Sequence, residues 1–126
     1  MHETVIPSGY QQVMPYLIVN GAAQLITFVQ AVFGAEERLR HMRDDHIIQH
    51  AEISIGGCVI MLADAVGEYI PRTGGFFIYV SDADAVYEKA MSLGAVSLSP
   101  VADQSYGRSG GITDPFGNTW WITTAV

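Results

Sequence analysis

His50 and Glu52 stand two apart in the stretch HIIQHAEISI (46–55) and carry the most pointed chemistry in the chain. Imidazole exchanges a proton near neutrality, and a carboxylate beside it can orient the ring and stabilise its cation. Residues two apart on a strand share a face. The pair therefore reads as a general base with its orienting partner, or as two ligands of a metal site. A plainer reading stays open: the two hydrogen-bond each other to satisfy a partly buried pair. No third ligand is apparent for a metal.

Two further stretches draw attention. In YGRSGG (106–111), Arg108 could clamp a ligand carboxylate or phosphate, or tie its loop to Asp114 or another carboxylate. In DPFGNTWWI (114–122) a turn runs into adjacent tryptophans, which a strand would point to opposite faces. Trp120 is expected in the core under the second helix, and Trp121 on the other side. His41 and His46 read as solvated residues of a hairpin tip, and His2 as part of a tail. Gly107, Gly110 and Gly111 are no phosphate cradle, because no helix starts there and no Lys-Ser/Thr follows. A nucleophile elbow is absent too.

Composition limits what such residues can serve. A chain of 126 residues with 13 acidic and 6 basic side chains is expected to form one domain, 1–126, with a net charge of −7. That balance disfavours nucleic acid and anionic membrane surfaces, and suits a neutral or cationic small ligand. The lone cysteine, Cys58, excludes an intramolecular disulfide or a cysteine zinc site and reads as a small buried hydrophobe. No secretory signal and no run of membrane-spanning length is visible, so a cytoplasmic protein is expected.

The elements that must position these residues come from periodicity and punctuation. An apolar stretch over 11–19 predicts a strand, with Pro15 marking an edge or bulge and Asn20 capping the helix that follows. Ala22, Leu25, Ile26, Val29 and Val32 recur at helical spacing, and Gly34 stops the helix. A polar edge strand over 35–43 and strands over 46–55 and 58–63 complete a first module, with Gly56-Gly57 as a two-residue hairpin turn. An irregular linker spans 64–74. The pattern then restarts: a strand over 75–80, a helix capped by Ser81 or Asp82 and carrying Ala83, Val86, Tyr87, Ala90 and Leu93, a weaker strand over 95–101, a polar loop over 103–110, and a closing hairpin around Pro115-Phe116-Gly117.

Val19-Asn20 lies over Val80-Ser81 at an offset of 61, and Gly57 over Gly117 at an offset of 60. This repetition predicts an α+β fold of two tandem βαβββ modules, at about 11–63 and 75–126. Within the first, Val13, Leu17, Val19, Ile47, Ala51, Ile53 and Ile55 are expected to face the helix. The Gly-Gly turn sets Ile55 opposite Cys58, hence Glu52 opposite Met61 and His50 opposite Ala63. Two open faces side by side would make a curved trough of mixed sheet, lined by Met14, Tyr16, His50, Glu52, Met61, Phe77, Tyr79 and Trp121. Such an aromatic, Met-containing wall suits a small-molecule pocket; burial by another subunit or by the linker is the lesser alternative.

The paired modules, GGITDPFGNTWWI, HAEISIGGCVIMLAD, FGAEE and YGRSGG together resemble the vicinal oxygen chelate superfamily of glyoxalase I, bleomycin-resistance proteins and extradiol dioxygenases. The likeness runs from about Gln12 to Thr124 and is nearest a glyoxalase-like branch. In metal-dependent members four side chains, His, Gln or Glu, hold a divalent ion in the trough. The resemblance carries those places onto Met14, Met61, Gly75 and Trp121, none of which suits a hard or borderline cation. It therefore implies a metal-independent, cofactor-free binder of an aromatic or drug-like ligand, as in antibiotic sequestration, in a homodimer. The alternative it leaves is a metal-dependent glyoxalase or dioxygenase with non-standard ligands including His50 and Glu52.

Overall fold

Eight strands and two helices follow one another as β1 (Tyr16–Val19), α1 (Ala22–Phe33), β2 (Glu36–Met42), β3 (Ile48–Ile55), β4 (Cys58–Asp64), β5 (Gly75–Tyr79), α2 (Ala83–Ser92), β6 (Val96–Gln104), β7 (Gly107–Thr113) and β8 (Thr119–Ala125). They are taken from a computed structural model that describes residues 3–126, so His2 lies outside the described residues. The strands form two four-stranded sheets in the orders β1-β4-β3-β2 and β5-β8-β7-β6. In each, the first strand pairs in parallel with the last and the remaining pairs are antiparallel. The α+β architecture of two tandem βαβββ modules is thus present.

Local signals shape much of this. Gly34 ends α1 in the left-handed region at φ 69°, where a side chain would be strained. Gly56 and Gly57 both have positive φ, 55° and 85°, as a two-residue hairpin turn demands. That turn sets Ile55 on Cys58 and Glu52 on Met61. Asp82 caps α2 by accepting from the Ala85 N–H at 3.1 Å.

Other elements depart from the sequence reading, each for a physical reason. The first strand begins only at Tyr16. Upstream, the Gln11 side chain pairs with β4 in place of a backbone, its amide donating to Val59 O (2.7 Å) and its carbonyl accepting from Val59 N (3.3 Å). Val13 is therefore exposed instead of facing the helix. Asn20 does not cap α1, because Gly21 takes the cap position. Asp64, at the end of β4, accepts from both Ala22 N (2.8 Å) and Ile48 N (2.7 Å). The second module repeats the device, with Thr124 Oγ1 accepting from Ala83 N at 2.7 Å.

Between His41↔His50 and Met42↔Ile48 the register of β2 and β3 slips by one residue, a bulge at Gln49. The bulge turns Ile48 into the core and leaves Ile47 half-exposed, the reverse of the simple alternation. Cys58, expected to be buried, is exposed, and Leu93, at the C-cap of α2, is exposed too. Segment 103–110 is not a loop, since β6 runs through Gln104 and β7 starts at Gly107. The 64–74 segment is less irregular than expected: Arg72 exchanges backbone hydrogen bonds with Ile18 at 2.8 and 3.0 Å, extending the edge of the first sheet.

One hydrophobic cluster runs through both modules, joining Leu17, Ile26, Val29, Ile53 and Leu62 to Ala90, Ile112, Trp120 and Ile122. Trp120 is 2 % exposed. Its ring lies 4.4 Å from that of Phe76 of β5 and 4.5 Å from that of Phe33 of α1, centroid to centroid, so the first helix reaches it as well as the second, which packs on β8. Asp114 anchors this arrangement. Its Oδ2 accepts from Trp120 Nε1 (2.9 Å) and Asn118 Nδ2 (3.0 Å), and its Oδ1 from the backbone N–H groups of Phe116 and Asn118, both at 2.9 Å. Among the described residues no helix is long and apolar enough to cross a membrane.

Candidate functional site

With their helix-side residues committed to the core, the sheets each leave an open face. On the first lie Tyr16 of β1, His50 and Glu52 of β3, and Met61 and Ala63 of β4. Glu52 is only 4 % exposed, which a charged group tolerates only when paired. The pairing is complete. Glu52 Oε2 lies 2.8 Å from His50 Nε2, and Glu52 Oε1 accepts from the Tyr10 hydroxyl at 2.5 Å. His50 Nδ1 lies 2.9 Å from the Tyr16 hydroxyl, with the two rings 5.5 Å apart. Arg38 holds the N-terminal segment in place, with its guanidinium 4.6 Å from the Tyr10 ring centroid and a hydrogen bond to Gly9 O at 2.6 Å.

The four side chains form one chain of hydrogen bonds, Tyr10–Glu52–His50–Tyr16. Burial pushes the Glu52 carboxyl up, but the hydrogen bonds from Tyr10 and His50 outweigh it and hold the group below the ordinary carboxylate range. The same hydrogen bond, more than burial or charge, raises Tyr10 above the usual phenol value. Tyr16 is raised by burial and then by the negative charge of Glu52. An ionised Glu52 can only accept, so His50 Nε2 carries a proton, and the Tyr16 hydroxyl, able to donate or accept, pairs with Nδ1. Both ring nitrogens and both carboxylate oxygens are thereby engaged within the protein.

Beside Tyr16 opens a cavity of about 380 Å³, within the range that holds a small organic ligand. Its walls are Tyr16, Ile18, Ile47, Ile48 and Ala63, with Arg43, Gln49 and Asp64 at the polar side and Val66 and Tyr69 from the linker. Val66 and Tyr69 exchange backbone hydrogen bonds at 3.1 and 2.9 Å. Together with the Arg72–Ile18 bridge, this ties that side of the cavity to β1.

The second open face is aromatic. Phe77 contacts Tyr79 and Tyr106 at centroid distances of 5.2 and 6.1 Å, and Trp121 is paired with Phe77 across the parallel strands. Trp121 is 41 % exposed. Its indole lies over Gly111, where any Cβ would collide with the six-membered ring. Trp121 thus faces the open side. The aromatic contacts of Tyr16 stay within the first module and those of Phe77 within the second, and the cavity is lined by the first module and the linker alone.

Arg108 belongs to neither face. It shares a register position with Thr124 on the helix side of the sheet. There it binds Asp84 of α2 through two bonds, 2.6 and 3.1 Å, and Asp103 at 3.1 Å. Those bonds raise its already high pKa further and lower that of Asp84. Of the two roles open to it, Arg108 makes the bonds of the tie to another carboxylate, joining β7 to α2 through Asp84 and to Asp103, with Asp114 not among its partners.

Four positions remain from the expected metal set. Met61 lies on the first open face and Trp121 on the second, Gly75 opens β5, and Met14 precedes β1. Thioether, indole and hydrogen offer a divalent oxygen- or nitrogen-seeking ion nothing to bind. Nor do three His, Cys, Asp or Glu side chains converge anywhere among the described residues. The residues present do not fit the metal of the metal-dependent branch. Tyr10, Arg43, Gln49 and Tyr69 escaped sequence reasoning, because each reaches the site from a segment without periodicity or from a bulge.

The chain matches the family model for the glyoxalase/bleomycin resistance protein/dioxygenase superfamily over residues 9–122, and it belongs to that superfamily. Among curated proteins it is 35 % identical over 124 residues to the uncharacterized protein Rv0887c of Mycobacterium tuberculosis, covering 89 % of this chain and 73 % of that one. It is also 35 % identical to Mb0911c of Mycobacterium bovis, with 89 % and 82 % covered. The fold is similar to that of TioX from Micromonospora sp. ML1, with a TM-score of 0.75, 21 % identity, and 92 % and 99 % of the two chains covered. It is similar as well to the fosfomycin resistance protein FosX from Listeria monocytogenes, with a TM-score of 0.67, 20 % identity, and 92 % and 93 % covered.

Proposed function

We propose that this chain is a metal-independent small-molecule binding protein that takes a planar, neutral or cationic aromatic ligand on the open face of its first sheet. The observation that carries this is the cavity of about 380 Å³ beside Tyr16, in a chain whose family metal positions hold Met14, Met61, Gly75 and Trp121. The net charge of −7 favours a cation over an anion. A fosfomycin resistance protein among the similar folds is in keeping with drug resistance as the biological setting.

The second face enters as an interface. Phe77, Tyr79, Tyr106 and Trp121 are 51, 66, 50 and 41 % exposed, and such a contiguous aromatic patch is costly to leave in water. In our reading a second copy covers it, and the homodimer brings Trp121 against a bound ligand. The lone exposed thiol of Cys58 suits a reducing cytoplasm.

The test is fluorescence titration with planar aromatic amines and a bleomycin-type glycopeptide, alongside sedimentation of the protein. Saturable quenching by a dimer, lost in Trp121→Ala and in Tyr16→Ala, supports the reading. A monomer that quenches with none of these probes overturns it.

A further inference from the structure

A binding wall needs no proton relay, yet a chain of hydrogen bonds runs beside this cavity and ends at Tyr16 in its wall. We infer that the first-sheet face is a metal-free acid–base site in which Tyr16 exchanges a proton with a bound aromatic molecule, His50 is the base behind it, and Glu52 and Tyr10 position His50. The inference rests on the binding reading above and adds a reaction class to it.

The argument is geometric. Tyr16 is the outermost member of the chain, 47 % exposed, and it also lines the cavity. Its hydroxyl lies 2.9 Å from His50 Nδ1, and the far nitrogen lies 2.8 Å from a carboxylate that is almost wholly buried. A hydroxyl backed by an imidazole that is oriented by a buried carboxylate is the arrangement that activates an oxygen for proton transfer. The second carboxylate oxygen is held by Tyr10 at 2.5 Å, so Glu52 cannot turn away from the ring. A hydrogen-bonded pair formed only to satisfy burial would not require its outermost member to be a half-exposed tyrosine that also lines a cavity.

The proton count closes without a further reactant. As Tyr16 Oη takes a proton from the ligand, its own passes to His50 Nδ1, and the resulting imidazolium is balanced by the Glu52 carboxylate. The substrate class is a flat, largely apolar molecule bearing an activated C–H or an acidic O–H or N–H beside its ring. The apolar wall of Ile18, Ile47, Ala63 and Val66 accepts the ring.

The probe is 5-nitrobenzisoxazole, whose ring opening needs only a base. The C–H pair becomes the second π bond of a nitrile, the N–O bond breaks, and the oxygen leaves as a coloured phenolate. We expect turnover at least ~100-fold above free imidazole at equal concentration, the lower end of what positioned acid–base groups supply. Tyr16→Phe and His50→Gln should each return the rate to background. Glu52→Gln should lower kcat about tenfold or more with KM unchanged, which a mere loss of packing would not do. Background turnover by the native protein, or turnover that survives Tyr16→Phe, overturns the inference. Binding of the unreactive analogue 5-nitroindazole, followed separately by fluorescence, separates the two readings: binding without turnover sinks the relay and leaves the binder standing, whereas neither binding nor turnover sinks both.

Discussion

Removing the Asp114 carboxylate should unseat Trp120 and, with it, the strand that presents Trp121. Four donors converge on this side chain, all between 2.9 and 3.0 Å. Three of them, the Asn118 backbone N–H, the Asn118 side-chain amide and the Trp120 indole N–H, belong to residues 0 and 2 % exposed, where water cannot replace the lost acceptor. An unsatisfied buried donor costs about 1–3 kcal/mol, so Asp114→Ala should destabilise by about 4 kcal/mol. At roughly 4 °C per kcal/mol for a domain of this size, Tm falls by about 15 °C. Asp114→Asn keeps one oxygen but aims an amide N–H₂ at other donors, and should lose about half as much. Urea denaturation followed by near-UV dichroism reads both values, and a double-mutant cycle with Trp120→Phe should show a coupling of about 1–2 kcal/mol. A cost below about 1 kcal/mol for Asp114→Ala, or a coupling of zero, would refute the clamp.

Three other outcomes follow from the same geometry. Glu52 has a folded pKa held below its ordinary value of 4.5. Its stabilisation is therefore full above that value and lost as pH falls through the folded pKa, and the denaturant midpoints of native protein and Glu52→Gln should converge on acidification below about pH 4.5. Gly111→Ala drives a methyl into the Trp121 ring; it should cost about 1–3 kcal/mol, shift Trp emission and abolish ligand quenching. Arg108→Ala frees Asp84 and Asp103 but touches neither open face, so ligand quenching should stay unchanged while the Asp84 carboxyl, followed by NMR, titrates closer to its ordinary value.

The site was half legible. His50, Glu52, Tyr16 and Met61 could be placed on one face because the Gly-Gly turn sets a register and a strand alternates from there. Their partner Tyr10 could not be found, since a phenol 42 residues away in sequence leaves no periodic trace. For Arg108 a tie to a carboxylate was legible but its partners were not: the expected polar loop is a hairpin, and its register turns the guanidinium to Asp84 of the helix.

By itself the sequence determined what depends on neighbours along the chain. Gly34, Gly56-Gly57 and Asp82 end or start elements through their own backbone freedom or a hydrogen bond within three residues, and the 60-residue repeat set the two-module order. Only the tertiary structure decided which distant atoms satisfy which. Asp64 and Thr124 replace helix caps across the sheet, the Gln49 bulge exchanges Ile47 for Ile48, and Phe33 of the first module packs on Trp120 of the second. Each of these is settled by desolvation: a buried polar group must find a partner wherever packing brings one, and packing is a property of the whole fold.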